Sequence, residues 1–154
     1  MSDPRYVPRD FLVEPRDFGR RPRAVWRLIE DDWTLERRAQ LDASISQHNI
    51  SRGVRELYLI EKRKKVTDLA QEIEVEYHRL QKMLAGRIVM QMVDLARLRL
   101  LVGARLDYWM MRGDSAEYIR AVERDLNRKK ERQAQAQRAS APYAGIHAVL
   151  RRAE

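Results

Sequence analysis

The chain has 154 residues, of which 31 are basic and 23 acidic, giving a formal net charge of +8 and an isoelectric point of about 10.1. This length allows one domain with extensions or two very small domains, and the positive charge favours a polyanionic partner such as nucleic acid. The absence of cysteine excludes disulfides, thiol nucleophiles and cysteine-based zinc sites.

Residues 1–23 form a segment rich in proline and arginine. Four of the five prolines lie here, and proline cannot continue a helix because it lacks the N–H group. The run GRRPR at residues 19–23 is similar to an AT-hook core in permuted order, so Arg20, Arg21 and Arg23 are candidates for minor-groove contacts. We therefore expect an extended basic arm. The alternative is a disordered or packed segment with solvated arginines, and its apolar residues predict that part of it docks on the domain.

Residues 24–48 are predicted to be helical, because Val25, Trp26 and Ile29 recur at helical spacing. The acidic residues just before Thr34 suit the start of a helix, where carboxylates stabilise the positive end of the helix dipole. Residues 49–53 are predicted to form a turn, with Ser51 capping the next helix.

Residues 66–84, VTDLAQEIEVEYHRLQKML, are typical of two short helices joined by a sharp turn. The small side chain of Ala70 suits the crossing of the two helices, and Val75 is predicted to fill the corner between them. The remaining apolar positions repeat at helical spacing and are Leu69 and Ile73 in the first helix, and Leu80, Met83 and Leu84 in the second.

This spacing resembles the helix-turn-helix of the lambda-repressor, Cro-like (XRE) family, of the phage or prophage repressor type. The resemblance covers about residues 51 to 101, and it implies that the second helix enters the major groove of double-stranded DNA. The turn position that usually holds glycine is Glu74 in this chain. Glycine relieves a positive φ there, a conformation that other residues adopt uncommonly.

The resemblance implies two sets of contacts with DNA. Gln can pair with adenine, Lys with guanine and Glu with the cytosine amino group. The expected base contacts are Glu76, Tyr77, His78, Gln81 and Lys82. The expected backbone contacts are Lys62, Arg63, Lys64, Lys65, Arg79 and Arg87. The alternatives are a solvated helix end for the basic run and an ordinary exposed histidine for His78. We expect no metal and no cofactor, because the histidines lack partners at ligand spacing.

The rest of the chain is predicted to be helical. Beyond Gly86 a nearly continuous apolar stretch predicts a helix central to the core or to a subunit interface. Residues 115–139 predict a helix whose second half is basic and either solvated or aligned with nucleic acid. The predicted fold class is all-α: a compact helical bundle containing a helix-turn-helix, with a Pro/Arg-rich N-terminal arm and a basic C-terminal helix. The predicted divisions are residues 1–23, 24–112 and 113–154.

The expected function is that of a sequence-specific DNA-binding regulator, a repressor acting by operator occupancy. We expect a cytoplasmic protein that binds double-stranded DNA as a homodimer, through its central or C-terminal helices, with no membrane and no small-molecule ligand. The chain has no Gly-rich phosphate loop, GxSxG or HExxH motif, so no enzymatic activity is expected. The alternatives are a DNA-packaging small subunit or partition-type DNA-binding protein, and a helical protein-interaction module that binds no DNA.

Overall fold

The structure is a computed structural model that describes residues 6–112, 124 and 127–140. The chain divides into two compact units, Met1–Ile119 and Arg120–Glu154. Within the described residues the elements are helices and turns, apart from one isolated bridge between Leu12 and Trp26. The predicted all-α fold class is therefore confirmed. None of the helices in this part of the chain is both long and apolar enough to cross a bilayer.

The first unit begins with two short 3-10 turns, Pro8–Phe11 and Pro15–Asp17, and continues with a series of α-helices. These helices are α1 (Leu35–Val54), α2 (Val66–Glu72), α3 (Tyr77–Leu84), α4 (Met92–Val102) and α5 (Arg105–Arg112). A π-helical segment, Arg55–Ile60, follows α1 directly. In the second unit residues 127–140 are helical and exposed, as predicted for a basic C-terminal helix. The predictions for residues 113–123, 125–126 and 141–154 concern residues outside the described part of the chain.

Helix α1 begins later and ends later than predicted. The predicted helix over residues 24–34 is wrong, because these residues are not helical, and Val25 and Arg27 form backbone hydrogen bonds with the N-terminal segment, such as Val13 N to Val25 O at 2.9 Å. Thr34 caps α1 by accepting a hydrogen bond from the N–H of Arg37 at 3.2 Å, as the acidic cluster before it indicated. The predicted turn at residues 49–53 is also wrong, since α1 runs through it to Val54.

Gly53 explains why a glycine lies inside α1. A Cβ atom at this position would lie 2.6 Å from Cγ of Trp109 and 2.7 Å from its Cβ. The missing side chain therefore allows α5 to pack closely against α1. In the sequence this glycine resembles a turn signal, because the requirement for it comes from a helix more than fifty residues away.

The hydrophobic core joins all five helices of the first unit. Each apolar position predicted for the two motif helices and their corner is buried: Leu69, Ala70, Ile73, Val75, Leu80, Met83 and Leu84. Helix α4, predicted to be central to the core or to a subunit interface, buries only part of its surface. Leu98 is fully buried, whereas Met92, Val93 and Leu100 are exposed to 79%, 61% and 88%.

Candidate nucleic-acid interface

The turn between α2 and α3 is tight although it lacks glycine. Glu74 adopts a φ of +57° and is exposed, while its neighbours Ile73 and Val75 are buried. The N–H of Val75 donates to the carbonyl of Ala70 at 3.0 Å and closes the turn. A non-glycine residue in the left-handed region costs roughly 1–2 kcal/mol. Burial of the two flanking apolar side chains stabilises this conformation.

Glu76 caps the N-terminus of α3. Its carboxylate accepts hydrogen bonds from the N–H groups of His78 at 2.9 Å and of Arg79 at 2.7 Å. These two backbone hydrogen bonds lower the pKa of Glu76. The sequence predicted a base contact for this carboxylate. In the structure both of its oxygens bind the helix to which it belongs, which leaves it in the role of a cap.

Arg79 binds Asp94 instead of pointing to solvent. Its two terminal nitrogens each donate to one carboxylate oxygen at 2.7 Å. Asp94 is only 3% exposed and also accepts from the N–H of Gln91 at 2.9 Å, which caps α4. The predicted phosphate contact of Arg79 is therefore replaced by an ion pair that fastens α3 to α4.

The open face of α3 carries three exposed side chains: His78, Gln81 and Lys82. Tyr77 is half-buried, packs on the core, and its hydroxyl accepts a hydrogen bond from Nε2 of Gln81. The aromatic rings of Tyr77 and His78 meet edge to face at 5.2 Å. Four of the five residues predicted to contact bases therefore remain on or near one face, and Glu76 lies at its edge.

A cleft with a volume of about 360 Å³ runs along this face. Polar side chains from α3 and from elsewhere line it: Arg20, Arg55, His78, Gln81, Lys82 and Arg87. Arg87 was predicted to contact the DNA backbone, and Arg20 was predicted to lie in an extended arm. Arg55 was not among the predicted site residues, because its local sequence pattern does not differ from that of the other arginines.

The N-terminal segment is folded from residue 6 onward, and the prediction of an extended arm is wrong for residues 6–23. Phe18 is 1% exposed and packs on Gly86, where a Cβ would lie 2.5 Å from Cγ of the ring. The N–H of Gly19 donates to Nδ1 of the buried His48 at 2.8 Å. These contacts bring Arg20 to the cleft. Residues 1–5 lie outside the described part.

The other two arm candidates remain at the surface. Arg21 is exposed and forms an ion pair of 3.2 Å with Asp17, four residues earlier. Arg23 is also exposed. Because the folded segment fixes the backbone on both sides, neither residue belongs to a free strand that extends away from the domain.

The basic run before α2 forms an exposed turn. Lys62, Arg63, Lys64 and Lys65 are all exposed, and Arg63 has a φ of +53°. The ammonium of Lys64 lies 3.9 Å from a carboxylate oxygen of Glu72, an exposed pair that contributes little to stability. The run therefore presents a positive surface beside the first motif helix.

Gln47 is a buried positioning residue that the sequence analysis missed. Its side-chain amide donates to the carbonyls of Met83 at 2.8 Å and Ile88 at 2.9 Å, and its oxygen accepts from the N–H of Met90 at 2.9 Å. The three bonds hold the loop that follows α3. A polar residue among other polar residues of α1 carries no local signal of this role.

Within the described residues no group of three or more histidine, aspartate or glutamate side chains is arranged to hold a metal ion. No protein-family model matches the chain, and no curated protein or solved structure matches it significantly. The functional interpretation therefore depends on the residues and geometry described above.

Proposed function

We propose that the protein is a sequence-specific DNA-binding regulator, a repressor of the phage or prophage type that acts by occupying its operator. The observation that carries this proposal is the surface of α3. Its apolar side is fully buried, while His78, Gln81 and Lys82 are exposed on the opposite side beside further cations. We propose no enzymatic activity.

The dimensions of α3 are compatible with this role. An α-helix with its side chains is about 10–12 Å in diameter, which fits the roughly 12 Å width of the major groove. In our proposal Gln81 and Lys82 contact base edges, and His78 and Tyr77 lie beside them. Gln81 would exchange its hydrogen bond to Tyr77 for one to adenine.

The surrounding cations supply affinity without sequence information. In our proposal Lys62, Arg63, Lys64 and Lys65, together with Arg87, neutralise phosphates on either side of α3. Each phosphate contact releases counterions, so binding weakens as the salt concentration rises. Arg79 is assigned to the partly buried pair with Asp94 and contacts no phosphate in this scheme.

The exposed apolar face of α4 supports self-association. Met92, Val93 and Leu100 lie on the solvent side of this helix, and a second copy packed there would present a second α3 to DNA. The same face is available to a larger ring, the assembly expected of a DNA-packaging or partition-type protein.

Light scattering during size-exclusion chromatography distinguishes these two assemblies by mass, because a regulator is expected to form a dimer and a packaging protein a larger ring. Leu100→Glu should reduce the measured mass, whereas Leu35→Glu, at an equally exposed leucine in α1, should not.

The deciding experiment is fluorescence anisotropy of the full chain with duplex DNA from upstream of its own gene and with random duplex, over a salt series. Tighter binding to the upstream duplex that persists at physiological salt is expected. Equal and steeply salt-dependent binding to both duplexes would favour packaging. Absence of binding to either duplex at low salt would overturn the proposal and favour a protein-interaction module.

A further inference from the structure

The cleft beside α3 brings together two arginines from distant parts of the chain. Arg20 belongs to the folded N-terminal segment, and Arg55 is the first residue of the π-helical segment. Among the described residues that line this cleft there is no carboxylate. Neither arginine takes part in the ion pairs formed within the described part of the chain.

The burial of Arg55 is incompletely compensated by the described residues. Its Nε is inaccessible to solvent and has no hydrogen-bond partner among the described residues. Burial, followed by the positive charge of Arg20, lowers the pKa of Arg55. A desolvated donor that remains unsatisfied is costly, and a second cation beside it adds repulsion. An oxyanion placed between the two guanidinium groups would offset the buried charge of Arg55 and the repulsion between the two cations.

The backbone holds the two arginines in place. A Cβ on Gly19 would lie 2.5 Å from the carbonyl oxygen of Leu84 and 3.7 Å from Nε of Arg55. Gly19 also has a φ of +69°, which glycine adopts without strain. Any other residue here would move the N-terminal segment away from α3 and separate Arg20 from Arg55.

We propose that Arg20 and Arg55 form a binding site for a single phosphate group at the edge of α3. The planar guanidinium group of arginine binds two phosphate oxygens at once through paired hydrogen bonds. The ammonium group of lysine acts as a point charge and does not match this geometry. The phosphate belongs either to the DNA backbone or to a free phosphate compound. A phosphate group from the DNA backbone and one from a free compound would bind the two arginines in the same way. The site therefore does not depend on the proposal that the protein is a DNA-binding regulator.

Thermal unfolding of the full chain tests the site. The probe is inorganic phosphate, compared with chloride at the same ionic strength, on wild type, Arg20→Gln and Arg55→Gln. Arg23→Gln is the matched control, an exposed arginine of the same segment that does not line the cleft. Phosphate is expected to raise the melting temperature of wild type and of the control by roughly 2–4 °C. The melting temperatures of the two cleft variants are expected not to change. Arg20 is exposed, so its replacement leaves a folded protein even if Arg55→Gln does not fold.

Anisotropy with duplex DNA identifies the source of the phosphate. The plot of log affinity against log salt has a negative slope. If each cleft variant makes this slope less steep by about 1, the ligand is a backbone phosphate. If the DNA affinity is unchanged while the effect of inorganic phosphate is lost, the ligand is a free compound. Equal phosphate effects in all four proteins would overturn the site, as would the absence of any phosphate effect together with unchanged salt slopes. The regulator proposal is tested separately, by measuring the DNA affinity of variants of Gln81 and Lys82.

Discussion

Arg79 and Asp94 form a bidentate ion pair, with two hydrogen bonds of 2.7 Å, that joins the candidate recognition helix to α4. Burial acts to raise the pKa of Asp94, but the hydrogen bonds from Arg79 and Gln91 and the nearby cations outweigh it, and the pKa is lowered. The bond to Asp94 correspondingly raises the pKa of Arg79. The orientation of α3 on the domain therefore depends on the charge of Asp94.

Asp94→Asn should destabilise the protein at neutral pH and lose that effect in acid. A carboxyl group whose pKa is lower in the folded state contributes stability above its unfolded pKa of about 3.9. That contribution disappears as the pH falls through the folded pKa, because the unfolded state then binds more protons. We expect a loss of about 1–3 kcal/mol at pH 7, measured by urea unfolding, that shrinks toward pH 3. The exposed Asp42→Asn is the control, and a loss that does not vary with pH would contradict this linkage.

Glu74→Gly should stabilise the turn between α2 and α3. The backbone of Glu74 lies at a φ of +57°, where glycine is unstrained, so the free energy of unfolding is expected to rise by about 0.5–1 kcal/mol. This gain is net of the greater freedom of glycine in the unfolded chain. Glu74→Ala removes the same side chain but keeps the strained φ, so it should bring no gain. Equal stabilisation by both variants, in chemical denaturation, would rule out backbone strain as the cause.

Gly53→Ala should destabilise the contact between α1 and α5. Alanine favours a helix over glycine by about 1 kcal/mol, whereas overpacking costs about 1–3 kcal/mol. The atoms that the new Cβ would meet belong to the base of the Trp109 side chain, which cannot swing aside, so α5 must shift. We therefore expect a net loss of up to about 2 kcal/mol in thermal or urea unfolding. The exposed Ala43→Gly in the same helix measures the propensity difference alone, and a net gain for Gly53→Ala would show that the packing is looser than the structure indicates.

Replacing Gln81 and Lys82 by alanine should reduce specific DNA affinity without affecting the fold. Both side chains are exposed, so the melting temperature should be unchanged. Each lost base contact is expected to cost about 1–3 kcal/mol of discrimination, seen as weaker anisotropy binding to the specific duplex. Arg38→Ala, which removes one exposed cation from α1, controls for net charge. Unchanged binding with an unchanged melting temperature would remove α3 from the interface.

Several features of the candidate site could not be predicted from the sequence. Arg79 was expected at a phosphate, yet its partner Asp94 lies 15 residues away, beyond a loop. The roles of Arg55 and Gln47 likewise depend on segments that approach only after folding. Local patterns identified Arg20 as a candidate, but its place beside α3 follows from Phe18 packing on Gly86. Such contacts depend on how elements cross, and hydrophobic periodicity contains no information about crossing.

From the sequence alone one can derive the all-α class and the buried side of the two motif helices. The repeat of apolar residues at helical spacing sets which side of a helix avoids water, whatever its neighbours are. Which polar and charged side chains remain available for binding depends on tertiary packing. A guanidinium or carboxylate is exposed, paired or buried according to what packs against it, as Arg79, Glu76 and Arg55 show. Asp94, the partner of Arg79, and Arg20, the cation beside Arg55, come from distant positions along the chain, whereas Glu76 caps N–H groups only two and three residues ahead.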